Sequence, residues 1–163
     1  MHLKRTSSAR TPGSPAGLAL ATFLPYRLSV VTAVVSDGLA RLYGARFGIG
    51  IPEWRVLATV GEFGAITAKA VGRHAEMGKV KVSRAAAALE ARGYIRRRPN
   101  AEDLREAFLT LTPEGERVYA EIVPLALDYA ERLTADLGPA ERAALDGLIA
   151  ALLRRARAMT APP

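Results

Sequence analysis

Apolar residues recur at Val82, Ala85, Ala86 and Leu89, the three- and four-residue spacing of one helix face. Ser83, Arg84, Ala87 and Ala91 take the opposite face, with Lys79 and Lys81 on its flanks. Gly78 precedes the run and Gly93 follows it, so the pattern predicts a helix over 78–92 with Gly93 just beyond its C-terminus. Upstream, helical periodicity predicts a first helix from about Ala21 to Phe47, despite Pro25 near its start. The stretch 17–35 is the most apolar part of the chain, but Pro25 and Arg27 interrupt it. A membrane span needs roughly 20 mostly apolar residues, so a buried helix is the expectation there. "FGIGIP" (47–52) is a break, and Pro52 suits the first position of a second helix, "PEWRVLATVGEF", with Glu53 at its positive end. Gly61 and Gly64 close that helix, and Thr67 can cap a short third one over "AKAVGRHAEM".

After Gly93 the period shortens. "YIRRR" reads as a strand, "PNAED" as a turn and "LREAFLTL" as a return strand with Ala107, Leu109 and Leu111 on one face. Thr112-Pro113-Glu114 combines a cap, a first-position proline and a first-turn acid, a strong helix start. A long helix is expected to about Leu137, a break at Gly138-Pro139, and a last amphipathic helix to about Ala158. Residues 1–16, with Lys4, Arg5 and Arg10 but no hydrophobic period, read as a disordered basic tail. The order is four helices, a hairpin and two more helices. The fold class is therefore mainly α (α+β), and the short helix, the 78–92 helix and the hairpin make a winged helix-turn-helix.

Charge sharpens this picture. The chain of 163 residues carries a formal net charge of +7. Residues 67–98 hold nine Lys/Arg and two acids, a net of +7, while residues 99–163 hold seven Arg and eleven acids, a net of −4. One segment thus matches the whole excess, which points to an acidic partner: nucleic acid, an anionic membrane surface or an acidic protein. In the 78–92 helix the donors Lys79, Lys81, Ser83 and Arg84 sit in the N-terminal half of the outward face, where a recognition helix reaches base edges. The alanines beyond them would let the helix axis approach a groove closely; alanine's high helix propensity accounts for them equally well.

The chain has no cysteine and only two histidines, His2 and His74. Disulfides and cysteine-ligated zinc are excluded, and neither a histidine-based catalytic site nor a phosphate-binding glycine loop can be assembled. A cytoplasmic, non-enzymatic protein without cofactor or metal is the expectation.

"GYIRRRPNAEDLREAFLTLTPEG" (93–115) resembles the wing of the MarR family of winged helix-turn-helix regulators. The matching residues are Gly93, Tyr94, Ile95, Arg97, Arg98, Pro99, Asp103, Arg105, Leu111, Thr112 and Gly115. "IPEWRVLATV" and "VSRAAAALEARGYI" are similar to the second and recognition helices of that family. Asn100 and Leu104 depart from the Asp and second Arg common there, which leaves fewer expected wing contacts.

The resemblance implies a dimeric repressor reading a palindromic operator through helix 78–92 in the major groove and wing 94–111. Lys79, Lys81, Ser83 and Arg84 would face bases and phosphates. Arg97 and Arg98 would contact phosphate, Arg105 would enter a minor groove or grip a phosphate, and Asp103 would orient it. The implied organisation is a tail over 1–16, a dimerisation helix over 17–50, the DNA-binding lobe over 51–112, C-terminal dimerisation helices over 113–158 and a tail over 159–163. The implied partners are double-stranded DNA, a second copy of the chain and a small aromatic or lipophilic effector. Tyr26, Arg46, Phe47 and Trp54 are candidates to meet that effector, with core packing, or a surface ion pair for Arg46, as the competing reading. The alternative function is an architectural or non-specific DNA-binding winged-helix protein without an effector.

Overall fold

Among the described residues, six helices and a small sheet form from these signals. The computed structural model describes residues 17–100 and 106–160, and the chain divides into two compact units, 1–37 and 38–163. The helices are α1 (Leu24–Phe47), α2 (Ile51–Phe63), α3 (Ala68–His74), α4 (Lys79–Ala91), α5 (Pro113–Leu133) and α6 (Pro139–Thr160). Three strands, β1 (Ile66–Thr67), β2 (Ile95–Pro99) and β3 (Ala107–Leu111), pair antiparallel in the order β1-β3-β2.

In the first unit, every described residue through Val34 is exposed, including Leu18, Val31 and Val34. The expected burial of 17–35 is thus not found: helical periodicity supplies an apolar surface, but burial needs a second surface against it. No helix among the described residues is long and apolar enough to cross a membrane.

The second unit holds the core. Val56, Leu57 and Val60 of α2, Val71 of α3, and Val82, Ala85, Ala86 and Leu89 of α4 are buried with Ile95, Leu109, Val118 and Ile122. The four α4 residues are the stripe that the spacing predicts, and burying Val82 or Leu89 contributes about 1.5–3 kcal/mol each. Strand β1 was not expected, because two residues show no period. Its pairing of Ile66 with Leu109 and Thr67 with Phe108 comes from β3.

Helix ends follow local hydrogen bonding. The Glu53 carboxylate accepts from the Gly50 N–H at 2.9 Å, and Thr67 caps α3 by accepting from the Ala70 N–H at 3.3 Å. Helix α3 stops three residues before the expected Met77. Glu76 takes a positive φ of 49° and the Met77 N–H returns to the Gly72 carbonyl, which closes the helix. Helix α5 ends at Leu133 rather than Leu137, where the Thr134 hydroxyl donates to the Ala130 carbonyl and the backbone tightens into three-residue hydrogen bonds.

One junction joins the hairpin to α5. The Thr112 N–H donates to the Tyr94 carbonyl at 3.0 Å, the Thr112 hydroxyl donates to the Gly93 carbonyl, and the same oxygen accepts from the Gly115 N–H. A Cβ on Gly115 would lie 1.8 Å from the Tyr94 carbonyl oxygen. The side chain of Tyr94 reaches the other way, its hydroxyl donating to the Phe47 carbonyl at 3.3 Å.

Gly115→Ala should therefore lower unfolding free energy by about 1–3 kcal/mol or more, because backbone must move to admit the methyl group. Chemical denaturation measures this; an unchanged midpoint would contradict the packing. Tyr43 gives a pH-dependent counterpart. Burial pushes its phenol up to about 12, with Arg55 opposing and Glu53 adding to the shift. Its contribution is full below about pH 10 and is lost as pH rises toward 12, because the unfolded state loses the proton first. Tyr43→Phe should flatten the alkaline fall of stability over that window, read by denaturation across the pH series.

Candidate nucleic-acid interface

The turn between α3 and α4 is built to bring two helices together tightly. Gly72 lies under it, where a Cβ would sit 2.9 Å from the Met77 carbonyl oxygen. Glu76 turns the chain and Gly78 caps α4 in an extended conformation, its carbonyl accepting from the Val82 N–H. At the far end, Gly93 takes a φ of 72° and the Tyr94 N–H returns to the Leu89 carbonyl. That closure sends the chain directly into β2.

With Val82, Ala85, Ala86 and Leu89 buried, the rest of α4 faces outward. Lys79, Lys81, Ser83 and Arg84 are all exposed, and none has a carboxylate partner among the described residues. Within residues 67–98 the only ion pair of a basic residue among the described residues joins Arg97 to Glu90 at 2.9 Å, tying β2 to the last turn of α4. Among the described residues the segment's other basic side chains have no carboxylate partner. Between α3, the start of α4 and the hairpin lies a cavity of about 940 Å³, lined in part by Lys69, Arg73, Lys79, Ser83 and Arg97. Lys69 and Arg73 were not singled out in the sequence as contact residues. Their place beside Lys79 is set by the α3–α4 turn, and the only sequence signal for them was the charge of the segment.

The alternation of β2 separates its arginines. Ile95 packs in the core and Arg97 meets Glu90, so both point to the α4 side. Arg96 and Arg98 point to the other face, opposite Thr110 and Phe108 of β3. Arg97 and Arg98, expected as a pair of phosphate contacts, therefore occupy opposite faces of the sheet. Asp103 and Arg105 lie outside the described residues.

Of the four candidate effector residues, one lies in the first unit and three in the second. Tyr26 is exposed in the first unit. Arg46 pairs with Glu121, whose other carboxylate oxygen accepts from Arg117, and its guanidinium lies 5.0 Å from the centroid of the Phe47 ring. Phe47 is buried in the core. Trp54, half-buried, lies between Tyr43 and Tyr119 at ring-centroid distances of 5.5 and 6.4 Å. Glu114 also bonds Arg117, and that hydrogen bond holds its carboxyl below the usual range and raises the guanidinium.

Comparison with known proteins agrees with this geometry. A family model described as MarR family matches residues 47–106, which run from the end of α1 to the start of β3. The chain is 31% identical over 109 residues to the uncharacterized HTH-type transcriptional regulator YwoH of Bacillus subtilis (strain 168), covering 67% of this chain and 79% of that protein. Among solved structures, a MarR/EmrR family transcriptional regulator from Acinetobacter sp. ADP1 superimposes with a TM-score of 0.79 at 22% identity, over 85% of this chain and 98% of that one. The PcaV transcriptional regulator from Streptomyces coelicolor, solved in complex with its natural ligand, gives 0.75 at 20% identity over 87% and 99%. These two share the fold, a mainly helical winged helix with a small three-stranded sheet. The exposed basic helix, the wing behind it and the match to YwoH lead to one assignment: this chain belongs to the MarR family of DNA-binding transcriptional regulators.

Proposed function

We propose that the protein is a homodimeric cytoplasmic repressor that reads a palindromic operator, with α4 in the major groove and the β2–β3 wing on the flanking backbone. The observation that carries this is the outward face of α4, where Lys79, Lys81, Ser83 and Arg84 are exposed and have no carboxylate partner among the described residues. Lys and Arg donate to guanine edges, Ser to bases or phosphate, and Ala87 and Ala91 leave room for close approach. Arg97 supports the same side of the lobe, held beside α4 by Glu90. Arg105 and Asp103 belong to the wing tip in this reading, on the family resemblance. Release of the operator by a small effector is part of the proposal, and a relative solved with its natural ligand supports it.

The dimer rests on α6. This helix of 22 residues has no buried residue, and Leu148, Ile149, Leu152 and Leu153 are exposed along it. A helix with that much apolar surface gains its stability from packing, and a second copy supplies the partner. A twofold dimer would set two α4 helices about one DNA turn apart, matching the halves of a palindrome.

Arg84→Ala should relax preference at particular operator positions and cost about 1–3 kcal/mol there. Arg105→Ala should weaken binding more evenly and lower the salt slope by about one. Binding of both variants to single-base operator mutants at two salt concentrations checks this. If Arg84→Ala weakens all sequences alike, the architectural reading replaces the operator-reading one. Sedimentation at micromolar concentration should give twice the 17.4 kDa chain mass; a species of 17.4 kDa alone would overturn the dimer.

A further inference from the structure

The face of the sheet turned away from α4 carries a second concavity. It has a volume of about 370 Å³ and is bounded by the end of α2, the outer face of β2 and β3, and the first turns of α5. That size lies within the range of small-molecule sites. Arg96 and Arg98 line it from β2, and neither has a carboxylate partner among the described residues. Thr110, the cross-strand neighbour of Arg96, lines it too, and its hydroxyl oxygen is buried without a hydrogen-bond partner. Tyr119 and Glu116 of α5 complete the wall.

We infer that this cavity binds a small phosphate monoester whose body carries hydroxyl groups. Two guanidiniums two residues apart on one strand suit a dianionic, multi-oxygen head group better than a single carboxylate would. The Thr110 hydroxyl lies buried beside Arg96 with a bond still to make, and a phosphoryl oxygen would accept it. Glu116 is an acceptor with no ion pair among the described residues, so it disfavours a bare anion and favours a ligand with hydroxyl donors. The Tyr119 ring offers an apolar wall. It is fixed in place against α2, where a Cβ on Gly61 would lie 2.6 Å from the ring. None of these residues belongs to the outward face of α4, although Arg96, Arg98 and Thr110 lie on the wing strands that the operator reading sets on the flanking backbone.

The chain contains its own reporter. Trp54 is the only tryptophan and stacks on Tyr119, the planes inclined by 26°. Titration of the full chain with glucose 6-phosphate should change Trp54 emission saturably, with calorimetry giving the same affinity. Inorganic phosphate should bind more weakly, and glucose should give no response. Arg96→Gln and Arg98→Gln should each weaken binding by about tenfold or more, as the loss of a charged hydrogen bond implies. Arg97→Gln, on the opposite face, should retain the saturable response. No saturable response to glucose 6-phosphate by either readout overturns the inference, as does a response that Arg97→Gln abolishes equally. The backbone of DNA could supply phosphate to the same arginines. If Arg96→Gln and Arg98→Gln weaken duplex binding while the ester titration is flat, the arginines serve DNA and the inference fails.

Discussion

Glycine at position 115 is the constraint on which the lobe turns. The first turn of α5 presses against the Tyr94 carbonyl so closely that no side chain fits between them. The carbonyl is held there by the Thr112 N–H, and Thr112 in turn bonds Gly93 and caps its own helix. The end of α4, the start of β2 and the start of α5 therefore form one rigid corner. Because Tyr94 also bonds the Phe47 carbonyl, the end of α1 is tied to the same point. The orientation of α4, and with it the direction in which Lys79 to Arg84 project, depends on this corner.

Around it, charge is sorted by face and not by element. Two acids of α5 are engaged with arginines beside them: Glu114 and Glu121 both bond Arg117, and Glu121 also holds Arg46. Such pairs hold their arginines near α5, and as exposed pairs they contribute little to stability. The basic residues of α3 and α4 have no such partners among the described residues. That leaves their charge available to an external polyanion, which gains by replacing condensed counterions. The sheet divides its own arginines the same way, Arg97 toward α4 and Arg96 with Arg98 toward α5.

Aromatic residues also tie the helices of the lobe together. Tyr43 tilts against Trp54, which stacks on Tyr119, in a row that joins α1, α2 and α5, and Phe47 lies in the core. Their polar neighbours Arg46 and Glu121 satisfy each other. Packing of this kind transmits displacement, so a change at Tyr119 is felt at Trp54.

Much of this was legible in the sequence, and for local reasons. Helical spacing at 82, 85, 86 and 89 named the buried face of α4, and Thr67, Thr112, Pro52 and Pro113 marked helix starts that depend only on nearby backbone donors. The concentration of positive charge in 67–98 points to an acidic partner from the sequence alone. Tertiary structure decided what depends on a second surface. It created β1 by pairing it with β3, left residues 17–34 exposed despite their apolar pattern, and ended α3 at a left-handed glutamate. It also turned Arg97 toward α4 and Arg98 away from it and buried the Thr110 hydroxyl without a hydrogen-bond partner, because which side of a strand meets a helix is fixed by packing and not by composition.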